Sequence, residues 1–249
     1  MSQISVQKAT INLPVLTDPE GVASVVALNL DGITPEFPRI KFPSGGLLAF
    51  EVPGDDGEPD VAKELIGVIV DHVRSNTYWK ESFDGTTNAP DCNSADGRTG
   101  VAPVEARVPW AGRSQNCATC SLNQWGSGAN GGKACKNMQK IYMVREGEIL
   151  PLEITIPPSS VNAWINYTVQ LTSKVKPIDG VVTRIKLKKA ISKGGIEYSE
   201  GVFQKVADLS DIEHKQIRAY SSSLRASIRN VQPQVQQSVQ VDEDEEIPF

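Results

Sequence analysis

The sequence predicts a mainly β fold, a five-stranded Greek-key barrel with an inserted metal-binding loop, a C-terminal helix and a disordered acidic tail. Three observations carry that reading. Segments rich in β-branched residues with two-residue alternation recur along the chain. One long stretch, residues 83–137, loses that pattern and holds all four cysteines. The last eight residues combine a run of acids with an apolar end.

The elements follow in order. The first forty residues are weakly patterned; Val22 to Leu30 is apolar and suits a strand or a short helix. Leu47 to Val52 reads as a strand stopped by Pro53-Gly54-Asp55-Asp56-Gly57, a turn signal. Leu65 to Trp79 carries Ile66, Val68, Ile69, Val70, Val73 and Thr77 and reads as one long strand. Its alternate residues His72, Arg74, Asn76 and Tyr78 share a face. Glycine, asparagine, serine and proline then dominate to Lys133, an irregular length that a compact domain tolerates when it is functional, disordered or stapled by a metal. Lys140 to Arg145 and Pro151 to Ile156 form two strands around Glu146-Gly147-Glu148. Ser159 or Ser160 caps a helix from Val161 to about Lys174, with Trp164 on its apolar face. Val181 to Ala190 alternates cleanly, and Ile196 to Val206 follows after Gly194-Gly195. Ser210 or Asp211 starts a last helix through about Arg229. Residues 1–230 thus form one domain, and residues 231–249 form a tail too polar to fold alone. With Pro151 to Ile156 extending the third strand or pairing at the edge, five strands with a helix between the third and fourth is the order of an OB-fold, whose concave face commonly takes oligonucleotides.

The formal charge is -5, which argues against a polyanion partner only until its distribution is read. Asp242, Glu243, Asp244, Glu245 and Glu246 hold five of the 30 acids; the remainder balances 25 acidic against 25 basic residues. A neutral body can still gather cations in one groove. No apolar run reaches bilayer length, and Met1 to Thr10 lacks a secretory pattern, so a cytoplasmic protein without a membrane partner is expected.

Cys92, Cys117, Cys120 and Cys135 have the spacing C-x24-C-x2-C-x14-C. Two thiolates three positions apart can share one tetrahedral metal through a tight turn, and Gly126, Gly128, Gly131 and Gly132 let the backbone bend. A structural Zn2+ would supply folding energy that this segment cannot draw from a core. The same ligand set also suits an iron–sulfur cluster, and Cys117 with Cys120 alone would make a redox pair.

The acidic run closes in Ile247-Pro248-Phe249. An apolar tip on an acidic arm suits docking, because Phe249 fills a pocket while the acids steer it to basic surfaces. Asp242 to Phe249 closely resembles the C-terminal tail of bacterial single-stranded DNA-binding proteins. That resemblance implies recruitment of replication, recombination and repair proteins through Asp242, Glu243, Asp244, Glu245, Glu246, Ile247, Pro248 and Phe249, and competition with DNA for the groove. The middle is similar to bacteriophage single-stranded DNA-binding proteins through Cys92-Asn-Ser-Ala-Asp-Gly97, Cys117-Ala-Thr-Cys120-Ser-Leu-Asn-Gln-Trp-Gly-Ser-Gly128 and Gly132-Lys-Ala-Cys135-Lys136. It resembles in plan the OB-folds that carry a zinc ribbon, as one domain of replication protein A does. The body does not resemble the bacterial proteins, which are shorter and lack cysteines, so their tetramer is not carried over and the oligomeric state stays open.

Binding a single strand needs cations for phosphates and aromatic faces for bases. Candidates lie at the end of the long strand (Arg74, Tyr78, Trp79, Lys80, Phe83), in the metal segment and the strand after it (Trp110, Arg113, Trp125, Lys133, Lys136, Lys140, Tyr142), and on the face Arg184, Lys186, Lys188. Trp79 and Trp125 suit packing and stacking equally, and the last stripe also reads as a solvated face. No Gly-Lys-Ser/Thr phosphate loop and no GxSxG occurs, so a non-catalytic protein is expected. The alternative is a metal-dependent nucleic-acid-processing enzyme or accessory factor using Asp55, Asp56, Glu58 and Asp60, which otherwise read as a turn.

Overall fold

A computed structural model describes residues 11–31, 33, 36–54, 57–81, 89–192 and 195–230, with the side chains of residues 130 and 226–230 excepted. It is mainly β. Short helix α1 (Pro14–Thr17) and α2 (Pro19–Leu30) precede β1 (Arg39–Lys41), β2 (Phe50–Pro53), β3 (Pro59–Ala62) and the long β4 (Glu64–Tyr78). Three short strands follow: β5 (Cys92–Ser94), β6 (Thr99–Val101) and β7 (Ser114–Asn116). Then come β8 (Lys136–Arg145), β9 (Leu152–Ile156), α3 (Pro158–Ser173), β10 (Val181–Ile191), β11 (Glu197–Asp208) and α4 (Asp211–Asn230). The apolar segment Val22–Leu30 is therefore helical, started by Asp18, whose carboxylate accepts from Gly21 N at 2.9 Å.

The strand β4 organises the molecule. One edge pairs along its length with β8; the other pairs with β10 over Glu64–Val68 and with β5 over Asn76–Tyr78. The ladder thus runs β1-β9-β8-β4, then forks to β10-β11 and to β5-β6-β7. A bulge between Ile69 and Asp71 absorbs one extra residue. Before it, Leu65 and Ile69 face one core; after it, His72 lies on that side, against Trp164 at 5.6 Å. Ser221 of α4 donates to the Val70 carbonyl at 2.5 Å, satisfying a group that the bulge takes out of the ladder.

Each sheet face carries a core. Ile141, Met143, Ile154 and Ile185 pack with Trp164, Tyr167 and Leu171 of α3. On the opposite face, Val68, Tyr142, Val144 and Val182 pack with Ile217 and Leu224 of α4. Helix α4 opens with the predicted Ser210, whose hydroxyl accepts from Glu213 N while the Glu213 carboxylate accepts from Ser210 N. Helix α3 departs from expectation. It begins at Pro158, a position that needs no N–H partner, and no side chain caps it. Ser160 instead accepts from Gly201 N at 2.9 Å and ties α3 to β11.

The expected barrel does not close in the ladder among the described residues. The outer edge of β9 is taken by β1, in parallel, and Ser160 holds part of the outer edge of β11. None of the described helices is long and apolar enough to cross a membrane. The tail 231–249, Phe83, Asp55 and Asp56 lie outside the described residues.

Candidate nucleic-acid interface

The free half of β4 and the start of β8 form an arm from the body to the cysteine lobe, residues 91–135. Between lobe and α3 lies a groove of about 1730 Å³. Its sides are Gly97, Arg98, Gln115, Asn116 and Lys133 from the lobe and Trp164, Ile165, Thr168 and Thr172 from α3. His72, Arg74, Asn76, Asn137 and Gln139 of the two strands also line it, with Lys176 at one end. Lys140, Tyr142 and Glu153 extend the lining from alternate positions of β8 and β9.

Charge in the groove is unbalanced. Lys140 pairs with Glu153 at 2.9 Å and Lys176 with Asp208 at 3.2 Å. Arg74, Arg98 and Lys133 have no carboxylate ion-pair partner among the described residues. Lys133 lies instead 5.7 Å from the ring centre of Trp125, which is 80% exposed. Such a cation-covered indole can stack on a base.

The four cysteines converge. Cys92, Cys117, Cys120 and Cys135 line one cavity of about 20 Å³ with Tyr78, Gly100, Trp110 and Leu122. Cys117 N donates to the Arg98 carbonyl and Cys135 N to that of Leu122, which fixes the two turns. Burial pushes the Cys135 thiol up to about 12, and the other three cysteines add to it. Burial raises Cys92 as well, opposed by the neighbouring Trp110 indole. The Trp110 Nε1 is buried in the same cavity and has no hydrogen-bond partner among the described residues. A Cβ on Gly100 would stand 2.8 Å from the Cys92 sulfur and 3.6 Å from that of Cys117. Four converging sulfurs and a backbone bared beside two of them suit a thiolate-bound cation. Among the described residues no group of three or more His, Cys, Asp and Glu side chains meets the spacing of a closed metal site.

Several expected contacts are buried or fall elsewhere. Tyr142 touches the groove but is 3% exposed, its hydroxyl donates to Glu153 at 3.1 Å, and its ring belongs to the α4-side core, so it offers no face to a base. Tyr78 and Trp110 line the cysteine cavity and not the groove. Arg184 and Lys186 both reach Glu64, at 3.4 and 3.0 Å, and Lys188 reaches Glu200 at 3.2 Å; this stripe is a paired surface on β10 outside the groove. Lys136 and Lys80 are exposed and outside the groove lining, Trp79 is half-buried, and the Arg113 guanidinium donates to the Pro109 carbonyl. Trp164 is buried in the core as its helical position predicts.

Arg98, Lys176, Asn123 and Asn137 went unrecognised. Asn137 and Gln139 alternate on β8 directly opposite Asn76 and Arg74, a polar repeat on one face of the two strands that lines the groove. No protein-family model, curated protein or solved structure matches this chain.

Proposed function

We propose that the groove binds single-stranded DNA largely without regard to sequence, and that the protein coats strands without cutting them. The observation carrying this reading is the trio Arg74, Arg98 and Lys133, lining one groove with no carboxylate ion-pair partner among the described residues. Arg74, Arg98, Lys133, Lys140 and Lys176 outnumber the carboxylates Asp96 and Glu153 in the groove lining, and such an excess of cations favours a polyanion. The strand order supports it. Counted from β4, the order β9-β8-β4-β10-β11 with α3 between β9 and β10 is third-second-first-fourth-fifth, as in an OB-fold. The cysteine lobe is then the insertion between the first and second strands, where that fold places an oligonucleotide-binding loop.

The cysteines, in this reading, hold a structural Zn2+. A cavity of about 20 Å³ lined by all four cysteines has room for one ion, which supports this reading. The cation fastens three segments of the lobe, and Gly100 keeps the approach open. Asp242 to Phe249 is the arm that recruits replication or recombination proteins.

Fluorescent oligo-dT titrated at several salt concentrations tests the DNA reading. The expected result is binding that weakens with salt, with a shallower slope for Arg74→Ala and Arg98→Ala. No binding, or magnesium-dependent cleavage, overturns it. Elemental analysis should find one zinc per chain. Deleting Ile247 to Phe249 should abolish partner capture and leave oligo-dT binding intact.

A further inference from the structure

Three asparagines join the groove to the cysteine lobe. Asn76 donates to the Gly97 carbonyl at 3.2 Å, and Asn123 donates to the Cys117 carbonyl at 2.8 Å. Between them Asn137 donates to both amide oxygens, each at 2.9 Å. The polarity is forced from the ends. Backbone carbonyls only accept, so the amide nitrogens of Asn76 and Asn123 must face them. Their oxygens then face the Asn137 nitrogen, and the Asn137 oxygen is left over. It accepts from Lys133 Nζ at 3.1 Å, with the Asn123 oxygen at 3.4 Å.

We propose that Lys133 is a dedicated phosphate ligand at the foot of the cysteine lobe, aimed by the Asn76–Asn137–Asn123 relay. An ammonium has three protons. Two go to the relay oxygens, one face lies toward the Trp125 ring, and no carboxylate takes the third among the described residues. Two neutral acceptors orient the ammonium without cancelling its charge, as an acid would. A long lysine otherwise loses side-chain entropy on each encounter; here the relay has already fixed it. The ring of Trp125 beside it then offers the neighbouring base a platform. The three asparagines are positioning residues, and the whole assignment rests on the single-strand reading above.

The test uses full-length, zinc-loaded protein and fluorescent oligo-dT. Lys133→Met should weaken binding about tenfold at moderate salt. It should also lower the slope of log affinity against log salt by about 0.7, one phosphate contact on a single strand. Asn137→Leu and Asn137→Asp should reproduce most of both changes, the second because its carboxylate neutralises Lys133. Adding Lys133→Met to either should cost less than about twofold more. Zinc content and circular dichroism of each variant report whether the lobe is intact. An unchanged slope in Lys133→Met overturns the phosphate ligand while leaving DNA binding in place. Weaker binding with an unchanged slope in both Asn137 variants reduces the relay to a structural brace and overturns its positioning role. Wild-type protein that binds no oligo-dT defeats the underlying reading instead.

Discussion

The sheet body and the cysteine lobe hold themselves together in different ways. In the body, Ile141, Ile154, Ile156 and Ile185 are wholly buried between strands and α3. Burial of that kind is worth roughly 25 cal/mol per Å² and needs only a correct apolar pattern. The lobe buries mainly small or polar side chains, among them Asp91, Ser94, Ala102 and Cys117. Its short strands leave much backbone unpaired, and side chains take up the work. Asn123 serves the Cys117 carbonyl, Gln124 those of Ala118 and Cys120, and Ser127 those of Leu122 and Gln124. Asp96 accepts from Arg98 N and Thr99 N. One region is fastened by area, the other by directed bonds and converging sulfurs. Damage to one should therefore register differently from damage to the other.

The largest effect belongs to the body. Ile154→Ala should cost about 4 kcal/mol in urea unfolding, because a wholly buried side chain leaves a cavity. Zinc content should not change; its loss would merge the two regions into one unit.

Asp91→Asn strikes the joint between lobe and arm. The carboxylate is 4% exposed and accepts from Lys80 N, Arg107 N and the Arg107 guanidinium. Burial alone would raise its pKa; the Arg107 bond and the two backbone N–H groups outweigh that and hold it at about 2. Its folded pKa lies below the unfolded value of about 4, so the contribution is complete above pH about 4 and fades as pH falls toward about 2. The substitution should cost roughly 2 kcal/mol at neutral pH. Its gap from wild type should shrink through that acid window, read by hydrogen exchange in the lobe. A gap independent of pH would remove the carboxylate from the explanation.

Gly100→Ala should weaken zinc binding about tenfold in a competitive chelator assay, since the new methyl crowds two sulfurs. Urea unfolding of the body should stay put. Equal affinity would mean that the bare backbone serves no metal.

The smallest effect is expected on β10. Arg184→Ala with Lys186→Ala should shift stability by less than about 1 kcal/mol, as exposed ion pairs do. Oligo-dT affinity should change less than about twofold. A larger loss would extend the interface onto this stripe.

The contrast also explains what could be read from the chain. The strands β4, β8, β10 and β11 were legible because burial imprints a two-residue period, and Val181, Thr183, Ile185 and Leu187 show it cleanly. The convergence of the four cysteines was legible because a C-x2-C pair with two more cysteines in one irregular segment marks residues that meet in space. The asparagine relay was not. Asn76, Asn123 and Asn137 are far apart in sequence, and an amide's partner is set by tertiary approach and leaves no local trace. The ion pairing of the basic stripe on β10 was hidden for a related reason: Glu64 and Glu200, which pair with it, come from neighbouring strands whose register no single segment reveals. Tyr142, named as a candidate contact beside Lys140, packs in the α4-side core, a placement set by strand pairing that its own segment does not show.

The bulge at Val70 has a consequence for the gene. Ile69 pairs with Met143 and Asp71 with Tyr142, so Val70 is a spare step in the strand. A codon lost there would straighten the ladder and leave His72, Arg74 and Asn76 facing the groove, though Ser221 would lose its acceptor. A codon lost three positions later would turn every following side chain over and hand the groove Thr77 in place of Asn76. The strand therefore carries one tolerant notch and otherwise a strict reading frame in space, and length variants of this protein should collect at the notch.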